Sequence, residues 1–158
     1  MNAIGTTTRS HWAELGRRPR VMLTWEHGRN FGRLSRLLAV ARMVEEQGGE
    51  PIWVVPRAQR DAPALMALSH RRYVAPEIEQ QTFAPDFRAD SFADVLLSSG
   101  FDDAGVLLAA VHAWTQLIES LEPECVVLDY APAAQLACTL LAQRALQIGQ
   151  RREQRASA

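Results

Sequence analysis

Two short apolar β-forming runs separated by one amphipathic helical stripe leave this chain few folds to choose from. Val21-Met22-Leu23-Thr24-Trp25 is continuous and mostly β-forming, the pattern of a strand covered on both faces in a parallel sheet. After a glycine-containing loop, Leu34, Leu37, Leu38, Ala41 and Val44 fall on one stripe of a helix, which Gly48 and Gly49 stop. Pro51 to Val55 is a second apolar strand. Val21 to Val55 thus covers the roughly 30 residues of a βαβ unit.

The same alternation continues downstream. A short helix is expected around Ala64 to Ser69 and a minor strand over Tyr73 to Pro76, followed by a long surface loop from Glu77 to Asp90. Ser91 and Asp94 form a Ser-x-x-Asp helix start for a segment through Leu97. Asp102 or Asp103 then caps the strongest helix, in which Val106, Leu107, Ala110, Val111, Trp114, Leu117, Ile118 and Leu121 keep helical spacing. Glu122-Pro123-Glu124 breaks it. Cys125 to Asp129 reads as a buried strand ending on a carboxylate, Ala133 to Gln143 as the last helix, and Ala145 to Gly149 as a fifth strand. Strands alternating with helices imply a three-layer α/β domain around a mainly parallel sheet of four to five strands.

The length of 158 residues accommodates one such domain. We expect a mobile polar leader over 1–19, the domain over 20–149 and a disordered polar tail over 150–158. The net charge of −1 gives no electrostatic reason to expect nucleic acid as a partner. All 17 basic residues are arginine, which excludes a Schiff-base or phosphate-loop lysine. Cys125 and Cys138 read as buried free thiols of a reducing cytoplasm. The first 20 residues lack an apolar signal region, and the longest apolar run, Gly105 to Trp114, is too short for a transmembrane segment.

Ligands of open parallel sheets sit beyond the carboxyl ends of the strands, which directs attention to two loops. The first is Glu26-His27-Gly28-Arg29-Asn30-Phe31-Gly32-Arg33, where the glycines allow either close approach to a ligand or a plain strand-to-helix turn. Its G-x-x-x-G spacing and the absence of an acidic residue after Val55 argue against NAD or FAD, and no cofactor is expected. The second loop begins at Asp129, which serves either a substrate or the cap of the following helix. His27 is the one histidine expected near this cleft, since His11, His70 and His112 fall elsewhere. Asp102-Asp103 and Glu45-Glu46 read as a helix start and a solvated face, Trp114 as core, and no residue cluster suggests a metal site.

The stretch RVMLTWEHGRNFGRLSRLLAVARMVEEQGGEPIWVV, together with LEPECVVLDYAP, resembles the N-terminal, acceptor-side domain of GT-B nucleotide-sugar-dependent glycosyltransferases of the UDP-glycosyltransferase and MurG-like kind. The resemblance covers about residues 20 to 149 and implies a Rossmann-like domain equivalent to one half of a GT-B fold. It further implies, for a bacterial cytoplasmic enzyme, transfer of a sugar from a nucleotide donor to a hydroxyl of a small-molecule, lipid or carbohydrate acceptor. Many members place a Gly-His pair at the end of the first loop, with the histidine as general base and a later carboxylate orienting it. Here that pair is Gly32-Arg33, and arginine stays protonated, so it cannot take the proton. Asp129 matches the family's carboxylate position, and His27, five or six residues from the family's histidine position, is the candidate substitute base; these two are the catalytic candidates, and Glu26, Gly28, Asn30, Gly32, Arg33 and Tyr130 the substrate-binding candidates. A second Rossmann domain, which binds the donor in this family, is not part of the sequence. The expectation is a truncated chain inactive alone, one half of a two-chain enzyme with a donor-domain partner, or a non-catalytic assembly subunit.

Overall fold

A computed structural model describes residues 16–26, 31–77, 91–98 and 100–149. Five strands, β1 (Arg20–Thr24), β2 (Glu50–Val55), β3 (Arg71–Val74), β4 (Cys125–Leu128) and β5 (Ala145–Gln147), form one sheet in the order β3-β2-β1-β4-β5. Every pairing is parallel. β1 lies at the centre, with Val21 to Thr24 registered against Pro51 to Val54 on one side and Cys125 to Leu128 on the other. The connecting helices are α1 (Phe31–Glu46), α2 (Arg57–Arg60), α3 (Pro63–Met66), α4 (Phe92–Ser98), α5 (Ala104–Leu121) and α6 (Pro132–Leu140).

Side chains alternate across a strand, so each central strand feeds two cores. Val21, Leu23, Trp53, Val55 and Val127 point to one face, where the α1 stripe of Leu34, Leu37, Ala41 and Val44 covers them along with Leu65. Met22, Ile52, Val54, Val126 and Leu128 point to the other, against Ala110, Val111, Trp114, Ile118 and Leu121 of α5 and Ala133, Ala134, Ala137 and Cys138 of α6. Trp53 and Trp114, both fully buried, anchor one face each. Truncation of either to alanine would cost about 3–5 kcal/mol. The expected three-layer, Rossmann-like α/β architecture is what the chain adopts.

Helix ends follow local chemistry. The side chain of Asp103 accepts from the N–H groups of Gly105 and Val106, at 2.8 and 3.0 Å, and so caps α5 in preference to Asp102. Ser91 and Asp94 satisfy each other's backbone N–H groups, at 2.8 and 3.1 Å, in the reciprocal arrangement expected for α4. α1 gives way to a turn at Gly48 (φ +82°), and a side chain at Gly49 would collide with Val44, whose Cγ1 lies 2.7 Å from the position of a Cβ there.

Four expectations need correction. The short helix expected around Ala64 to Ser69 is a single turn, α3, that starts earlier, with Pro63 at its first position, and another single turn, α2, precedes it. β3 begins at Arg71, two residues earlier than the apolar pattern suggests. The apolar run around Gly105 belongs to an 18-residue helix, long and apolar enough by length and composition to cross a membrane, though five of its residues are buried in the domain core. Cys138 is buried but Cys125 is half-exposed, and burial pushes the Cys138 thiol up to about 11. The Glu77 to Asp90 loop, apart from Glu77, lies outside the described residues, as do the tail and the leader before Gly16.

At the amino ends of the strands, arginines tie the layers together. Arg18 donates to the carbonyls of Gly48 and Gly49, and Arg20 to that of Leu121, at 3.0 to 3.2 Å. Arg17 pairs with Glu124 at 2.7 Å, and Arg72 reaches the carbonyl of Leu65 at 2.9 Å.

Thr24 is fully buried with its hydroxyl unpartnered among the described residues. Replacement by the isosteric valine removes that desolvated oxygen, so Thr24→Val is expected to raise unfolding stability by about 1 kcal/mol in urea titration.

Candidate functional site

β1 and β4 are neighbours in the sheet, but the chain leaves them toward opposite faces. After β1 it enters α1 on one side, and after β4 it enters α6 on the other. Their carboxyl ends therefore flank the place where loops diverge and a crevice opens in sheets of this kind. Asp129 follows β4 directly, its N–H donating to the carbonyl of Thr24 at 2.9 Å, and the N–H of Glu26 reaches back to the carbonyl of Tyr130 at 3.3 Å. These bonds zip the two loops together at their roots.

Of the two roles that sequence alone leaves open for Asp129, the helix cap falls to Glu26. Asp129 does not cap α6. Ala131 stands at the cap position without a side-chain bond, and Pro132 at the first helical position has no N–H to satisfy. The next two donors, Ala133 and Ala134, give their N–H groups to the Glu26 carboxylate from 107 and 108 residues away, at 3.1 and 2.6 Å. Glu26 thus closes a helix N-terminus across the mouth, where backbone N–H groups and the helix dipole favour negative charge. Although the residue keeps partial contact with solvent, desolvation of its carboxyl outweighs those two bonds and raises its pKa from 4.5 to about 7.

Asp129 is 2% exposed and is held by Arg36, on the second turn of α1. The Arg36 Nε lies 3.1 Å from Oδ2, and one Nη lies 2.9 and 3.1 Å from the two oxygens. A carboxylate this deeply placed requires such a partner. Gly149, just beyond β5, passes so close that a Cβ there would sit 2.9 Å from the Asp129 Oδ1, and its φ of +120° suits only glycine.

Arg33, one turn earlier on α1, lays its guanidinium over the Tyr130 ring, 4.6 Å from the ring centroid. Burial lowers its pKa, against the attraction of Asp129 and Tyr130, but a guanidinium remains a fixed cation. Tyr130 itself adopts a left-handed backbone (φ +63°), a conformation uncommon for a non-glycine residue and concentrated at functional sites.

Of the residues singled out in the sequence, the fold brings together Glu26, Arg33, Asp129 and Tyr130. His27, Gly28 and Asn30 lie outside the described residues. Gly32 belongs to the first turn of α1, not to the loop, and a Cβ there would meet nothing within 4 Å, so no close backbone approach depends on it. Arg36 and Gly149 were not anticipated. The signal for Arg36 was present, since a buried Asp129 demands a cation and arginine is the one cationic residue type in the chain apart from histidine. Among the described residues, no three His, Cys, Asp or Glu side chains gather as metal ligands would.

The Glu26 carboxyl ties folding to pH. Below pH 4.5 it is protonated both folded and unfolded; between 4.5 and about 7 the folded chain keeps a proton that the unfolded chain releases. Stability therefore falls as pH rises through that window and levels off above it, by at most roughly 3 kcal/mol. Urea unfolding at intervals from pH 4.5 to 8 is expected to show this decline, with the slope flattened in Glu26→Gln. Separately, Arg36→Ala leaves Asp129 buried without its cation and is expected to cost about 2 kcal/mol, a loss readable in the same assay at pH 7.

No family model matches the sequence, and no curated protein sequence matches it. Among solved structures, MurG of Acinetobacter baumannii superposes with a TM-score of 0.56 at 18% identity, over 82% of this chain and 34% of the MurG chain. The chain spans about a third of the length of that structural relative. The likeness is one of fold: the five-stranded parallel sheet and its flanking helices match a Rossmann-like half-domain of MurG.

Proposed function

We propose that this chain is the acceptor-side half of a glycosyltransferase that moves a sugar from a nucleotide-sugar donor to an acceptor hydroxyl in the cytoplasm, inactive without a donor-binding domain. The observation that carries this reading is the mouth between β1 and β4 of a MurG-like fold, where the Glu26 carboxyl, raised toward neutrality by burial, and the Arg33 guanidinium of α1 both meet the loop after β4, Glu26 at Ala133 and Ala134 and Arg33 over the Tyr130 ring. In the transfer, a bond forms from the acceptor oxygen to the anomeric carbon, the bond from that carbon to the nucleotide phosphate breaks, and the acceptor proton passes to a base. His27, next to Glu26 in the chain, is the proposed base, and Glu26, with its pKa near neutrality, is the second group of this mouth suited to exchange that proton. Asp129, braced by Arg36, fixes the geometry of the later loop. Arg33 steadies negative charge while Tyr130 supplies a ring against it, and Gly28, Asn30 and Gly32 complete the acceptor-binding set.

A second reading, a non-catalytic subunit that docks a separately encoded donor domain, is favoured by exposed leucines. Leu136 and Leu140 on α6 are 42% and 71% exposed, and Leu146 on β5 is 55% exposed.

Two measurements on the purified chain separate these readings. With a panel of hydroxyl-bearing saccharides, amide NMR signals of Glu26, Arg33, Asp129 and Tyr130 are expected to shift, while UDP alone leaves them in place. Transfer from UDP-sugars by the isolated chain is expected to be undetectable. Turnover in the ordinary enzymatic range of about 1–1,000 per second would overturn the incomplete-enzyme reading. Silence of the mouth toward every saccharide, with tight association to a GT-B donor domain, would favour the docking subunit.

A further inference from the structure

The Trp53 indole is fully buried, and burying its N–H requires an acceptor. That acceptor is His70, between α3 and β3: the indole Nε1 donates to the imidazole Nδ1 at 3.0 Å. The rings are 18° from coplanar with centroids 6.5 Å apart, too distant for face contact and fitting an edge-to-edge hydrogen bond. On its far side, His70 Nε2 lies 2.8 Å from the Glu45 Oε1, on the last turn of α1. Because an indole nitrogen only donates and a carboxylate only accepts, both bonds form with one species alone, the neutral imidazole carrying its proton on Nε2.

We propose that Trp53, His70 and Glu45 form a proton-sensitive relay that fastens the carboxyl end of α1 to β2, and that a second proton on His70 releases it. Protonation of Nδ1 turns the acceptor into a donor and sets two N–H groups against each other 3.0 Å apart. Glu45 then gains a charged partner, but its own side chain is 47% exposed, so the new ion pair is solvent-screened, whereas the indole loses its one acceptor in a dry core. The other charged groups around His70 are already committed. Arg71 on β3 pairs with Glu50 of β2 at 2.8 Å, and Arg72 is spent on the carbonyls of Leu65 and Leu68. Arg42 and Glu46, also on α1, are exposed. The same helix carries Arg33 and Arg36 near its opposite end.

The test is heteronuclear NMR on the full chain across the titration of His70. At high pH the imidazole is expected to show a bare Nδ1 and a protonated Nε2. As His70 takes its second proton, exchange of the Trp53 indole N–H, corrected for its intrinsic pH dependence, should accelerate at least about tenfold. The amides of the last turn of α1 should shift with the same midpoint. In His70→Gln, whose amide accepts at one end and donates at the other without titrating, the indole should stay protected and those shifts should vanish. An Nδ1–H tautomer, or an indole whose protection ignores the titration of His70, would overturn the proposal. So would α1 shifts that persist in His70→Gln.

Discussion

β1 is hydrogen-bonded along both edges and covered on both faces, and that double enclosure is the constraint to which the rest of the chain answers. A strand in this position leaves no side chain free for solvent, so Val21 to Thr24 must all be apolar or isosteric with apolar residues, and two separate helical layers must be supplied to cover them. α1 provides one, over Trp25 and Trp53, and α5 with α6 the other, around Trp114. Because the layers approach from opposite sides, the loops leaving β1 and β4 part company at their ends. The crevice of the candidate site is thus a by-product of the way the central strand is buried.

Within that crevice, charge is distributed by depth. Asp129, sunk below the surface, is matched by a guanidinium and becomes part of the scaffold. Glu26, closer to solvent, accepts from the N–H groups of Ala133 and Ala134, and burial raises its pKa to about 7. The deeper carboxylate, which a sequence motif draws attention to, positions the loop it begins.

Much of the sheet could be read from the sequence because parallel strands buried on both faces appear as uninterrupted apolar runs, as at Val21 to Trp25 and Pro51 to Val55. β3 was harder to place, since an edge strand tolerates charge and its first two residues, Arg71 and Arg72, spend their side chains elsewhere. The start of α1 was misplaced because Gly32 suggests a loop, while the packing of Leu34 and Leu37 outweighs the helix cost of a single glycine. The site was partly legible: strand ends and carboxylates mark where to look. Its pairings were not, since Glu26 reaches Ala133 and Ala134, and Arg36 reaches Asp129, over about a hundred residues. No local spacing encodes contacts that exist only once β1 and β4 lie side by side.

The arginines at the amino ends of the strands acquire a further meaning from the direction of the helices. In a parallel sheet each crossover helix runs back against the strands, so the starts of α1, α5 and α6 lie at the mouth end and their finishes at the other. The backbone alone thus makes the domain a small battery, positive at the mouth and negative at the base. Arg18 and Arg20 donate to carbonyls at or just past the ends of α1 and α5, discharging the negative pole with forks that a lysine could not imitate. At the mouth end Glu26 meets the start of α6 and Asp103 the start of α5, so carboxylates answer the positive pole as the arginines answer the negative one.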